Sequence, residues 1–384
     1  MYAPDAPAAF YSRITDLLGF HSGAEEHKVQ WLSVSGKPRF QELFVDILGG
    51  AGDRLPQLDH SYFDTSRTTD GGFSEKFYSQ IGMEHGSALS EEARADLASS
   101  VQSAVEETVL NMAGEGGNLC LGGGLALNAL VVAAVENSGR FQQVWVQPTA
   151  GNAGTAIGSA FHGWHQALRR DERKPLKNLF LGPEFDREHV KQVLENCKLR
   201  FRYLATESEL VETAVKRLAD NQILAWFQGR MEFGPRALGN RSIFASPLNP
   251  YSTENLNTYI KHRESFRKFA ASVPEELASE YFECGAGARY LATVGRVRSN
   301  HRKTFEAALL DGDRIRVHTV RRDDNPLYWE LLHAAGRLSS LPVLYNTSFN
   351  LFGEPLVCDP RAAVRSFYAS GIDAMFVEHF LLEK

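Results

Sequence analysis

The segment "GRMEFGPRALGNRS" (residues 229–242) holds three arginines, Arg230, Arg236 and Arg241, among glycines and a proline. Glycine and proline suffice to shape a turn. The arginines need another reason. Guanidinium forks bind phosphate oxygens bidentately and nearby lysines add point charge. The cationic density continues in "YIKHRESFRKFAASV" (residues 259–273). From residue 229 to 268 seven cations (Arg230, Arg236, Arg241, Lys261, Arg263, Arg267, Lys268) stand against three acids (Glu232, Glu254, Glu264). The whole chain has the opposite balance, with 41 Lys+Arg, 47 Asp+Glu and a net charge of −6. Ordinary surface charge is the plainer reading. The coincidence of the cations with glycines, Asn240 and Ser242 favours a local anion site.

Other segments supply complementary chemistry. "YNTSFNLFGEPLV" (residues 345–357) places Asn346, Thr347, Ser348 and Asn350 after an apolar strand. Small polar groups there can hold a ligand edge or a phosphate oxygen; a hairpin turn using Asn and Gly is the alternative. "LGGGLALN" (121–128) and "GNAGTAIG" (151–158) each join a strand to a helix. Glycines at such turns let backbone approach a ligand, and free N–H groups at a helix start favour anions. Gly122, Gly123, Gly124, Gly151, Gly154 and Thr155 are therefore candidate nucleotide contacts, expected to line one crevice. Neither turn matches GxGxxG or a GKS/GKT loop, which argues against a Rossmann site and a P-loop. His162 and His165 share a helix face but lack a third ligand, so no metal site is assigned. HExxH and GxSxG are absent.

The elements that must position these residues form two groups. In the first, "SEEARADLASSVQSAVEETVLNMA" predicts a long helix capped by Ser90. "NLCL", read as a short buried strand, is followed by a glycine turn and a helix. "FQQVWVQP" repeats the strand, glycine turn and helix order, which implies a parallel α/β layer. Residues 61–86 carry no clear assignment. "RRDERKPLKN" (169–178) suggests a linker. This gives a first domain over 1–170, a linker over 171–180 and a second domain over 181–384. In the second, helices near 186–197 and 208–220 alternate with strands "RFRYLA" and "QILAWFQG". Strand-like "RYLATVGRV", "FEAALL", "IRVHTV" and "PVLYN" follow, with helix "NPLYWELLHAAGRL" between the last two. "DPRAAVRSFYASG" is a helix with Asp359 as N-cap and Pro360 at its first position. "AMFVEHFLLE" closes the chain as one strand. The fold class is α/β followed by α+β or mixed α/β.

Composition sets further bounds. With 384 residues, 43% hydrophobic and 23% charged, the chain reads as globular. Its negative balance provides no general cationic field for nucleic acid. Four cysteines, Cys120, Cys197, Cys284 and Cys358, lie far apart without a CxxC pair, as in a reducing compartment. The longest apolar run, "LALNALVVAAV", is too short to cross a bilayer. "MYAPDAPAAF" lacks signal-peptide organisation. A cytoplasmic location is expected.

Three motifs, "GGGLALN…QPTAGNAGTAIG", "GRMEFGPRALGNRSI…IKHRESFRKFAASV" and "LYNTSFNLFGEPLV", together resemble the O-carbamoyltransferase family of nodulation and antibiotic-tailoring enzymes. The resemblance covers nearly the whole chain. It implies an actin/Hsp70-like domain, similar to the tRNA threonylcarbamoyl-transfer protein, followed by a domain similar to threonylcarbamoyl-adenylate synthases. It also implies ATP as co-substrate, carbamoyl phosphate as donor, a carbamoyl-adenylate intermediate and a small-molecule hydroxyl acceptor. By resemblance, Arg236, Lys261, Arg267 and Arg316 act on the anionic substrates, and Asn346 and Ser348 position carbamoyl or phosphate groups. Arg241, Arg263 and Asn350 are added as binding candidates from the local clusters themselves. Gly122–Gly124, Asn128, Gly151, Asn152, Gly154 and Thr155 hold the adenylate. Members carry an HxxxH pair for a divalent metal such as iron, which has no match here, and Asn152 stands where they commonly have Asp. "FRKF", with Lys268, replaces the usual "FRPF". These departures leave a partial actin-like domain and put magnesium- or iron-dependent transfer in question. A homodimer, a separate N-terminal partner chain, an inactive subunit and a tRNA threonylcarbamoylation-type enzyme are the alternatives.

Overall fold

The protein is described by a computed structural model over residues 6–49, 55–173 and 175–384. Residues 1–5 of the first segment read above and Lys174 of the charged segment lie outside the described residues. The chain packs as two units, Met1–Gly151 and Asn152–Lys384. The first thus closes short of residue 170, and helix Gly154–His162 counts with the second.

In the first unit helix Glu91–Ala113 starts where Ser90 Oγ accepts the Ala93 N–H at 3.1 Å, with Glu91 and Glu92 at its positive end. Helices Pro7–Leu17, Glu26–Leu32, Gln41–Leu48 and Glu75–Ile81 belong to the same unit. Phe10, Phe44, Phe73, Phe77, Leu97 and Val101 are fully buried in their shared core. The unassigned stretch 61–86 supplies the Phe63–Phe73 bridge and the Phe73–Phe77 stack, whose rings lie 3.9 Å apart. Strands β1 (Gly116–Leu121) and β2 (Phe141–Val146) pair in parallel, and helix Ala129–Asn137 joins them. The parallel layer is as expected, but "NLCL" is not buried. β1 is mostly exposed, and Trp145 on β2 is 51% exposed. A two-stranded ladder cannot cover both of its own faces.

The second unit is built on a ten-stranded mixed sheet. Its strands are β3 (Arg202–Tyr203), β4 (Leu224–Phe227), β5 (Arg241–Ala245), β6 (Ala270–Pro274), β7 (Phe282–Glu283), β8 (Val294–Val297), β9 (Arg314–Val320), β10 (Leu344–Ser348), β11 (Ala374–Val377) and β12 (Phe380–Glu383). Their order is β3-β12-β11-β4-β5-β10-β6-β9-β8-β7. Alternation along the strands splits the core. Ala225, Phe227, Ile243, Val273, Ile315, Val317 and Tyr345 lie in one layer with residues of helices Arg187–Asn196 and Pro360–Tyr368. Leu224, Trp226, Phe244, Leu344 and Phe376 lie in the other, with helices Glu207–Ala219 and Pro326–Ser339. Asp359 caps its helix by accepting the Ala362 N–H.

Several predicted strands are corrected. "FEAALL" forms a 3₁₀ turn at Glu306–Ala308. Phe305 and Ala308 are both fully buried, and their three-residue spacing is that of a helical turn, not of a strand. "AMFVEHFLLE" is a hairpin: Val377 pairs with Phe380, and Glu378 turns the chain at φ +47° without a glycine. "RFRYLA" shortens to β3, and "RYLATVGRV" to β8 preceded by a turn at Ala286–Tyr290. All four cysteines are free thiols. Among the described residues no helix is long and apolar enough to cross a membrane.

Candidate functional site

The loop between β4 and β5 is braced from within. Glu232 is 2% exposed, and its Oε1 accepts the N–H groups of Leu238 (2.8 Å), Asn240 (2.8 Å) and Arg241 (3.2 Å). The Arg241 guanidinium, fully buried, donates to the carbonyls of Gln228 (2.7 Å), Asn240 (2.9 Å), Gly229 (3.0 Å) and Pro183 (3.4 Å). It also lies 3.5 Å from the Phe227 ring centroid. Burial lowers its pKa to about 10, offset in part by Glu232 and Glu378. Arg230 donates to the Leu181 and Gly182 carbonyls. Asn240 accepts from Asn325, which in turn caps helix Pro326–Ser339. Gly239 sits at φ +108°, and a Cβ there would lie 2.2 Å from Tyr328 Cδ1. The turn needs this glycine on both counts. Arg241, expected as a ligand contact, is therefore a frame member. Arg236, in the same loop, is half-buried.

Arg236 belongs to a cationic cluster. Arg316 stands on β9, in register with Ala270 of β6, and the segment leading into β6 carries Lys261, Arg263 and Arg267. Burial and repulsion from Arg267 lower Arg236 to about 10. Burial, repulsion from Arg267 and the opposing pull of Glu264 leave Arg263 at about 9. Arg316 is held well below the usual arginine range by burial and by Arg236, Arg263 and Arg267. The arginines thus sense one another's charge while each keeps some exposed surface. Glu264 is the nearby acid, 3.8 Å from Arg267. Arg263 is further steadied by Asn257 Oδ1 at 2.8 Å and by the Phe269 ring. A set of cations that mutually raise one another's cost is suited to an anion that would neutralise them.

Lys261 is 4% exposed and points into the 348–350 turn. Its Nζ donates to Ser348 O (2.5 Å), Asn350 O (2.8 Å) and Asn350 Oδ1 (2.7 Å), with Ser348 Oγ at 3.4 Å. Ser348 Oγ also donates to Asn350 Oδ1. Burial first, then Arg263 and Arg267, push the lysine well below its ordinary pKa. Sequence spacing of nearly ninety residues separates these partners, so only the fold brings them together. Asn346 sits beside them on β10, 3% exposed, donating Nδ2 to the Ala237 carbonyl at 3.0 Å. Further along the same face, Ser272 Oγ meets Nδ1 of His318, whose pKa burial lowers to about 3.

In the first unit Asn128 acts as a helix cap. Its Oδ1 accepts from Leu130 and Val131 N–H, and its Nδ2 donates to Gln102. Gly122 and Gly123 leave β1 and Gly151 follows β2, at the end where Leu121 pairs with Val146. A Cβ on Gly151 would lie 2.9 Å from Leu127 Cδ1. In the second unit Thr155 Oγ1 donates to Asn152 O, and helix Gly154–His162, exposed along its length, carries Gly154 at its start.

Residues 7–161 match the family described as "Carbamoyltransferase N-terminus", and residues 215–384 match "Carbamoyltransferase C-terminus". The chain belongs to the carbamoyltransferase family. An uncharacterized protein of Synechocystis is 35% identical over 420 residues, spanning 100% of this chain and 68% of the relative. Nodulation protein NolO of Bradyrhizobium diazoefficiens is 32% identical over 373 residues, 94% of this chain and 66% of that protein. An uncharacterized protein of Methanocaldococcus jannaschii is 30% identical over 390 residues, 97% of this chain and 61% of its own. The chain thus spans about two thirds of the length of these relatives. Sequence reasoning missed two buried polar residues of this part of the fold. Glu232 was counted only as a charge opposing the arginines, and His318 lay inside an apolar strand pattern.

Proposed function

We propose that the second unit joins carbamoyl phosphate and ATP into carbamoyl-adenylate, and that the carbamoyl group passes to a hydroxyl of a small molecule. The observation that carries this reading is the mutually repelling arginine cluster, Arg236, Arg263, Arg267 and Arg316, against one nearby acid. Two phosphorylated substrates repel each other, and preorganised cations offset that repulsion and the charge growing on phosphoryl oxygens. The balanced sequence is hydrolysis of carbamoyl phosphate to carbamate and phosphate, then attack of a carbamate oxygen on the α-phosphorus. The bond to pyrophosphate breaks as the carbamoyl–AMP bond forms. Arg236, Arg267 and Arg316 hold phosphoryl oxygens, with Arg263 beside them. Lys261, Ser348 and Asn350 fix the 348–350 turn, proposed to lie beside the donor. The family reading adds the finer fold assignment, a partial actin/Hsp70-like transfer domain before a threonylcarbamoyl-adenylate-synthase-like one. The glycine turns that follow β1 and β2 are proposed to hold the adenylate in the first unit. The hydroxyl acceptor rests on the resemblance to O-carbamoyltransferases.

The family's divalent metal does not fit the described residues. No group of three or more His, Cys, Asp or Glu side chains among them could hold an ion, and residue 152 is an amide. No step is assigned to a metal. Calorimetric titration with pyrophosphate tests the anion site: Arg236→Ala should weaken binding at least ~10-fold, while the exposed Arg173→Ala should leave it unchanged. Equal effects would show that the cluster is not the site. A second reading, in which the first unit works only with a further polypeptide against β1 and β2, is favoured by the exposure of that ladder. Pyrophosphate release without transfer to any hydroxyl acceptor would select it.

A further inference from the structure

We propose that Leu179, in the segment expected from the sequence to be a linker, positions Arg236 for its anion; the inference rests on the anion site just proposed. Residues 178–183 run as a strap along the first part of the β4–β5 loop. Leu179 O accepts the Phe233 N–H at 2.7 Å, the Gly182 N–H donates to Met231 O at 2.9 Å, and Pro183 O accepts the Met231 N–H at 2.9 Å. The two segments run in opposite directions, as in an antiparallel pair. The approach is close at Gly182, where a Cβ would lie 2.9 Å from Met231 Cβ and from Met231 O.

Arg236 lies in the span 234–237, and Leu179 is tied to both ends of that span. At one end its carbonyl holds Phe233. At the other its buried side chain shares a small apolar cluster with Leu238, Ala270 and Leu291. The Leu238 N–H is fixed in turn by Glu232, which lies between the two loop residues that the strap holds. Ala270 is in register with Arg316, so the same cluster reaches the strand row of a second arginine. The strap itself is fastened at a margin. Arg230, which donates to Leu181 and Gly182, is exposed, as are residues 169–173 before the strap. Asn178, Leu179 and Phe180 line a small cleft with His318 to Arg321 at the end of β9. Such a segment opens locally at lower cost than the sheet beneath it. An anion that needs Arg236 in place binds the docked form, so anion binding and strap docking favour each other reciprocally.

The test follows trypsin cleavage after Lys177, at the start of the strap, and calorimetric binding of pyrophosphate by the full chain. In the wild type, pyrophosphate at about nine times its Kd should slow that cleavage ~10-fold, while cleavage after the exposed Arg173 stays unchanged. Leu179→Ala should speed cleavage after Lys177 and weaken pyrophosphate binding at least ~5-fold. Leu179→Met, of similar volume, should restore both to within about twofold of wild type. Arg230→Ala, which removes two of the strap's bonds, takes the place of the alanine variant if a melt shows that the latter does not fold. A residue that only stabilised the unit would lower the melting temperature of a folded variant and leave Kd unchanged, and that result overturns the proposal. Wild-type cleavage after Lys177 that is absent, or indifferent to bound pyrophosphate, overturns it too, even though the anion site stands. Failure of the wild type to bind pyrophosphate removes the anion site and this inference with it.

Discussion

Arg241→Lys separates framework from ligand contact. The guanidinium donates to four backbone carbonyls at 2.7–3.4 Å and stacks on Phe227. A lysine has one terminal nitrogen, which keeps about two of those bonds from a shorter, differently shaped end. Each buried carbonyl left unmet costs ~1–3 kcal/mol, and loss of the ring contact costs about 1 more. The expected destabilisation is ~3–7 kcal/mol, a large share of the total for a typical domain. Urea unfolding followed by circular dichroism and by tryptophan fluorescence, with Trp226 fully buried on the neighbouring strand, measures it. The two units can unfold separately, so the transition that shifts must be the one reporting on the second unit. Arg236→Lys, which keeps the charge at a half-buried position, should cost less than Arg241→Lys. If Arg241→Lys is equally mild yet abolishes pyrophosphate binding, the framework argument fails and Arg241 is a ligand residue.

Gly239→Ala should destabilise the second unit by at least ~3 kcal/mol, because its φ is +108° and the added methyl meets the Tyr328 ring; a thermal melt checks this. His318 gives a pH dependence. Its folded pKa of about 3 lies below the unfolded value of about 6.5, so between these limits the unfolded chain binds the extra proton. Stability from keeping His318 neutral is therefore complete above about pH 6.5 and is lost as pH falls toward 3, by up to ~1.4 kcal/mol per unit. His318→Gln should flatten the urea-midpoint profile over pH 4–6.5, and an unchanged slope would refute this assignment. Glu232→Gln should cost ~2–3 kcal/mol, because a neutral acceptor replaces a charged one for three backbone N–H groups; a variant that melts with the wild type would contradict it.

Much of this was legible where local chemistry decides. Ser90 and Asp359 announce helix starts, and both cap as read. The strand, glycine turn and helix order gives the β1–β2 pair. What escaped depends on partners distant in sequence. Arg241 has the residue type of a ligand contact, and only its enclosure by carbonyls from residues 183, 228, 229 and 240 turns it into a brace. Lys261 finds its acceptors 87 and 89 residues away. The terminal hairpin was hidden because Glu378 makes the turn without glycine, its carboxylate receiving the Gly229 N–H from a strand end 149 residues earlier. "FEAALL" was misread because two buried residues three apart and a short apolar strand look alike in so short a window.

The central claim is that the arginine cluster brings ATP and a carbamoyl donor together. Pyrophosphate release by the purified chain, with both substrates and with each omitted, tests it most directly. The account predicts release that needs both substrates, falls ~100-fold or more in Arg236→Ala, and stays within about twofold of wild type in Arg173→Ala. Release that is absent under every condition, or that is undiminished in Arg236→Ala, would contradict it.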